Sequence, residues 1–158
     1  MTHRFFVDGP ITTEQAFLSG PEAHHLQHVL RGSVGDVVVL LDGSGREFEA
    51  RISRLARSHV ELTVLGSREV DRELPRAIVV GVALPKADRQ RWLIEKLVEL
   101  GVARVVPLRT QHSVVHPDEK GLAKLQRAVI EATKQCGRTR LMEVAQLAPL
   151  ADYLPSAP

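Results

Sequence analysis

Residues 77–84 read AIVVGVAL, apolar or glycine at every position. A strand with one wet face alternates polar and apolar residues. A run without alternation must be covered on both faces, as in a parallel sheet layered with helices. The segments that follow supply that layer. DRQRWLIEKLVEL, 88–100, offers Trp92, Leu93, Ile94, Leu97, Val98 and Leu100 as a broad apolar face, with Asp88 as candidate cap and Gly101 just past the end. ARVVPL, 103–108, reads as a second strand. GLAKLQRAVIEATKQCG, 121–137, spaces Leu122, Leu125, Val129, Ala132 and Cys136 by 3, 4, 3 and 4, the stripe of an amphipathic helix. LMEV, 141–144, is a candidate third strand, and APLADYL, 148–154, the start of another helix. The order β-α-β-α is that of a doubly wound α/β layer. Two or three strands fall short of the roughly five such a sheet usually has. Two expectations follow: the chain is the N-terminal portion of a longer protein, or a dimer completes the sheet.

Upstream of residue 72 the pattern is β-rich. RFFVDG is a short apolar run closed by Asp8, Gly9 and Pro10. GDVVVLLDGSGREFEARI, 35–52, is two strands around Asp42-Gly43-Ser44-Gly45, a hairpin signal because glycine accepts the positive φ of tight turns. HVELTVLGSRE, 59–69, is another strand. One helix interrupts these strands, with Ser19 or Gly20 as N-cap and Pro21 at the first helical position. Several short strands and one helix predict a small barrel. The charged stretch SREVDRELPR, 67–76, reads as the linker between the two parts.

Charge is distributed unevenly. Residues 1–72 carry 8 Lys/Arg against 10 Asp/Glu, and residues 73–158 carry 13 against 9. The excess gathers at Lys124, Arg127, Lys134, Arg138 and Arg140, which is either an electrostatic footprint for phosphate or a solvated helix face. The lone Cys136 excludes an internal disulfide and fits a reducing compartment. No apolar run reaches the roughly 20 residues of a membrane helix, and MTHRFFVDG lacks a signal-peptide core. These features predict a cytoplasmic protein without membrane association.

Three segments hold the chemistry-bearing residues. EAHHLQHVLR, 22–31, packs three histidines and an arginine into ten positions. On a helix, His24, His28 and Arg31 share one face. His24 and His28 at i, i+4 are zinc-like spacing, but no Cys pair, HExxH or clear further ligand accompanies them. An RNA-facing surface, with imidazoles stacking on bases and Arg31 gripping phosphate, and a plain polar face are the other readings. In LPKADRQRW, Lys86 and Arg89 flank a strand-to-helix turn at the carboxyl edge, where α/β sheets bind ligands; simple capping by Asp88 is the alternative. In EATKQCGRTR, Cys136 lies on the apolar stripe and reads as a packed thiol rather than a nucleophile. Gly137 ends the helix, and Arg138 can favour its C-terminus or reach a ligand. No GxGxxG, P-loop, carboxylate pair or Ser-His-Asp arrangement is present.

RFFV at 4–7, EAHHLQHVLR at 22–31, GDVVVLLDGSGREFEARI at 35–52, LPKADRQRWLIEKLVELGVARVVPL at 84–108 and EATKQCGRTRLMEV at 131–144 together resemble, in order and spacing, the ribosomal RNA small subunit methyltransferase E family. The resemblance implies a PUA-like β-barrel for RNA over 1–72. It implies the first part of a SPOUT, trefoil-knot α/β domain over 73–158. It further implies S-adenosylmethionine as cofactor, homodimerisation, no metal, and methylation at N3 of a uridine in 16S rRNA of the small ribosomal subunit. His24, His25 and Arg31 become candidate RNA contacts on the barrel, and Lys86, Arg89 and Arg138 on the second domain. The family usually has Gly where Ala87 stands and Glu-Arg where Gln111-His112 stand. Its cofactor loops, of the types GPEGG and LGxRILRxETA, are absent from these residues. The expectation is therefore that the knot region is missing, that no cofactor-binding residue lies in this chain, and that the chain alone is an inactive RNA-binding module.

Overall fold

The computed structural model describes residues 3–157; Met1, Thr2 and Pro158, at the ends of the two expected domains, lie outside the described residues. The chain divides into two compact units, Met1–Asp71 with Gly137–Arg140, and Arg72–Cys136 with Leu141–Pro158.

The first unit is one five-stranded sheet in the order β1-β3-β4-β5-β2. Its strands are β1 (Arg4–Phe6), β2 (Gln15–Ser19), β3 (Val37–Leu41), β4 (Arg46–Leu55) and β5 (His59–Glu69). β1 runs parallel to β3, and the other pairs are antiparallel. Register shifts at Glu49/Ala50 and Ile52/Arg54 in β4 curl the sheet, as an extra residue in one strand bends it. The curl encloses Phe5, Leu18, Leu26, Leu40, Ile52 and Leu62, all nearly or wholly buried. The β3–β4 hairpin expected around Asp42 is present. Its carboxylate accepts the Ile11 and Ser44 amides, each at 3.0 Å, so the turn is tied both to itself and to the preceding loop.

Helix α1 (Gly20–His24) starts where Ser19 and Pro21 predict, although no Ser19 side-chain bond caps it. From His25 to Val29 it widens into a π-helical turn, with the Leu30 amide bonded to the His25 carbonyl. Arg31 then takes φ +54° and lies past the helix, so it does not extend the His24/His28 face as the 3.6-residue period predicts. β5 also runs on through Ser67-Arg68-Glu69, so the expected linker begins later than its charge suggests.

The second unit holds a parallel sheet, β6 (Val79–Val82), β7 (Arg104–Arg109) and β8 (Glu143–Val144), with a short β9 (Ala148–Pro149) also on β7. Helices α2 (Asp88–Glu99) and α3 (Glu119–Cys136) pack around Ile94, Leu97, Val98, Val105, Leu122, Leu125 and Val129. The 3-4-3-4 stripe of α3 is its buried face. On α2 the apolar face is narrower than expected: Trp92 and Leu100 are 61% and 68% exposed. A smaller cluster of Val106, Leu108 and Ala145 packs with Tyr153 of α4 (Leu150–Tyr153). Asp88 is the first helical residue of α2, not its cap; the cap position is Ala87.

Candidate nucleic-acid interface

In the first unit the candidate residues cluster on one short piece of chain. Ala23 and Leu26 are buried in the curled sheet, which turns His24, His25 and His28 outward. The His24 and His28 rings lie 4.7 Å apart, and the His25 ring is 6.2 Å from that of the buried Phe5. The π turn ends in a tight reversal: the Gly32 amide reaches back to the Leu26 carbonyl at 3.0 Å. A side-chain Cβ at Gly32 would stand 3.0 Å from Leu26 and 3.3 Å from Ile52, so the backbone must press against the core there. That reversal leaves Arg31 exposed in left-handed backbone that glycine or asparagine normally occupies. Strain and a π turn at one site are features that concentrate where function needs them. The segment presents exposed imidazoles at His24, His25 and His28 and, past the helix, the exposed forked guanidinium of Arg31, groups able to stack on bases and bind phosphate oxygens.

In the second unit, Lys86 is exposed on the loop that leaves the carboxyl end of β6 and Arg89 in the first turn of α2 that follows it, beside an open cleft of about 590 Å³ lined by Pro85–Arg89. No ion pair holds either one among the described residues. Between them Ala87 takes φ +50° and ψ −128°. This is the position where the resemblance leads one to expect glycine, and the backbone there is a glycine backbone carrying a methyl group.

Arg138 behaves differently from the other candidates. It is 4% exposed and lies in Gly137–Arg140, which groups with the first unit. The neighbouring Thr139 hydroxyl donates to the Val70 carbonyl at 2.6 Å, and the Gly45 amide donates to the Thr139 carbonyl. The segment is a packed return to the β-rich unit, which its basic composition does not disclose. Among the described residues no group of three or more His, Cys, Asp or Glu could hold a metal ion, and no helix is long and apolar enough to cross a membrane.

The first unit also holds a buried carboxylate that sequence reading missed. Glu47, 3% exposed, accepts from Arg68 Nε at 3.0 Å and pairs with Arg4 at 3.4 Å. Burial alone would raise its pKa, but the Arg68 hydrogen bond, with the charges of Arg68 and Arg4, holds it below its ordinary value. Alternation along β4 marks Glu47 only as an outward-facing residue, and nothing local signals that it is covered.

An RNA methyltransferase domain family matches residues 72–158, and an RNA methyltransferase PUA domain matches residues 18–65. The ribosomal RNA small subunit methyltransferase E of Synechocystis is 35% identical over 133 residues, 84% of this chain and 43% of that protein. That of Bacillus subtilis is 31% identical over 107 residues, 68% of this chain and 42% of that protein. This chain thus spans less than half the length of these two relatives. Among solved structures, a Legionella pneumophila methyltransferase in complex with S-adenosylmethionine superposes with a TM-score of 0.91 at 31% identity, over 99% of this chain and 67% of that one. The Neisseria gonorrhoeae ribosomal RNA small subunit methyltransferase E, bound to S-adenosylmethionine, gives 0.91 at 28%, over 100% and 66%.

Proposed function

The chain belongs to the RNA methyltransferase family, and from that premise we propose that the protein methylates N3 of a uridine in 16S rRNA, in the cytoplasm, as a homodimer with S-adenosylmethionine as methyl donor. The observation that carries the reading is the succession, in one chain, of a PUA-domain match and a methyltransferase-domain match. In this reading the curled β unit grips RNA through His24, His25 and Arg31, and Lys86 and Arg89 meet phosphate at the sheet's carboxyl edge. Arg138, 4% exposed, is the one candidate whose burial sets it apart from these exposed groups.

N3 of uridine must lose its proton before it can accept a methyl group. Fixed cations near the base stabilise the anion that forms, and Lys86 and Arg89 are two cations this chain places beside the sheet's carboxyl edge, where the exposed Arg109 ends β7. The same two cations do not fit the donor. A sulfonium is itself positive, so two neighbouring cations oppose it instead of holding it. The described residues therefore bind and polarise RNA, and taken alone act as an RNA-binding module.

Two measurements test this. Deleting the gene should abolish one 3-methyluridine in 16S rRNA by mass spectrometry; an unchanged nucleoside content rejects the activity. Calorimetry of residues 1–158 with S-adenosylmethionine should show no tight binding, and a strong isotherm contradicts the binding-module reading.

A further inference from the structure

Helix α3 carries three cations, Lys120, Lys124 and Arg127, that the candidate interface leaves unused. At 100° per residue they fall within an arc of about 60°, and at 1.5 Å per residue they span about 10 Å along the axis. All three are exposed, opposite the buried Leu122, Leu125 and Val129. None has an ion pair or side-chain hydrogen bond among the described residues. Three other helical cations contrast with them: Arg91 pairs with Glu95 at 2.8 Å, Lys96 with Glu99 at 2.6 Å, and Lys134 with Glu131 at 2.9 Å, while Arg89 in the first turn of α2 is a lone exposed cation and forms no row. Glu131 lies on the same stripe one turn beyond Arg127, but its carboxylate is taken by Lys134. Asp118, before the helix, is occupied by the Gly121 amide at 2.8 Å, and Glu119 lies about 100° off the stripe.

This placement is unfavourable for the helix itself. Like charges at i, i+4 and i, i+3 repel, and cations near the N-terminus oppose the macrodipole. A local rule broken without a compensating contact in the chain points to a contact outside it. Resting on the RNA reading above, we propose that the Lys120–Lys124–Arg127 ridge docks on the phosphate backbone of the RNA substrate, without base specificity, in addition to the contacts from the β unit. An unpaired row of cations complements a polyanion, and RNA backbone is the polyanion that reading supplies.

The test is the triple variant Lys120→Gln, Lys124→Gln, Arg127→Gln, titrated with a 16S rRNA transcript and with a short RNA duplex of arbitrary sequence across a salt series. Losing three phosphate contacts should lower the slope of log K against log salt by about 2.7 and weaken binding on the order of 100-fold at 0.1 M salt. Both RNAs should be affected alike. The urea midpoint should stay level or rise, since repulsion is relieved. Arg91→Gln and Lys96→Gln on α2, whose partners neutralise them locally, should each leave the slope unchanged. If the triple variant folds poorly, Lys124→Gln alone should lower the slope by about 0.9. Wild-type slope and affinity in the variants overturn the ridge, whether its face is merely solvated or meets an acidic protein. Failure of the wild-type chain to bind either RNA sinks the underlying RNA reading instead.

Discussion

At position 87 an alanine occupies backbone that glycine adopts at little cost. With φ +50° and ψ −128°, the methyl group adds strain of about 1–3 kcal/mol, against the 0.5–1 kcal/mol of chain entropy that glycine would lose on folding. Ala87→Gly should therefore stabilise the protein by about 1 kcal/mol, read from the urea midpoint; a lowered midpoint would show that the loop is not strained. Arg31 also has a positive φ, +54°, and carries the exposed guanidinium that the RNA reading needs. Glu47 acts on stability through pH. Burial opposes its charge, but Arg68 and Arg4 overcome that, so its folded pKa lies below the ordinary 4.5. Its contribution is complete above the unfolded value and is lost as pH falls through the folded one. Glu47→Gln should cost about 1–3 kcal/mol at neutral pH and flatten the acid limb of the stability curve. An acid limb identical to wild type would remove Glu47 from that role.

Elements follow their sequence signals where the signal is local. The Asp42 hairpin, the β5 strand, the β6 strand and the stripe of α3 are each written in adjacent residues, although β6 is only partly buried, with Ile78 before it 44% exposed, where the unbroken apolar run predicts cover on both faces. The departures are elements whose form depends on a distant partner. β2, only five residues long, alternates in burial because it pairs with β5, and that partner lies some 40 residues away. The π turn holds because Leu26 must reach the core while Gly32 folds back onto it. The last turn of the chain depends on a close approach. A Cβ on Gly81 of β6 would stand 2.7 Å from Tyr153 and 3.0 Å from Leu108. Gly81→Ala should cost about 1–3 kcal/mol by overpacking and free α4, making residues 150–157 the first site of limited proteolysis. An unaltered cleavage pattern would mean that Tyr153 does not hold that turn on the sheet.

For the whole molecule, the RNA reading makes salt the controlling variable. Arg31→Ala should weaken binding of a 16S rRNA transcript and lower the salt slope by about one, in proportion to one lost phosphate contact. A slope equal to wild type would take Arg31 out of the interface. His24, His25, Arg31, Lys86 and Arg89 were legible as candidates because charged and aromatic groups in a short window need no fold to be noticed. The burial of Arg138, the cover over Glu47 and the exposure of Trp92 and Leu100 were not, because each depends on what packs there from elsewhere in the chain. The sequence by itself determined where strands and helices lie and that a β-rich part precedes an α/β part, since hydrophobic period and turn chemistry act between neighbours. Only the tertiary structure decided which apolar faces are covered, that Arg4 and Arg68 share the buried Glu47 carboxylate, and that Gly137–Arg140 packs with the β-rich unit. Those outcomes are set by contacts between residues far apart in the chain, and no local pattern encodes them.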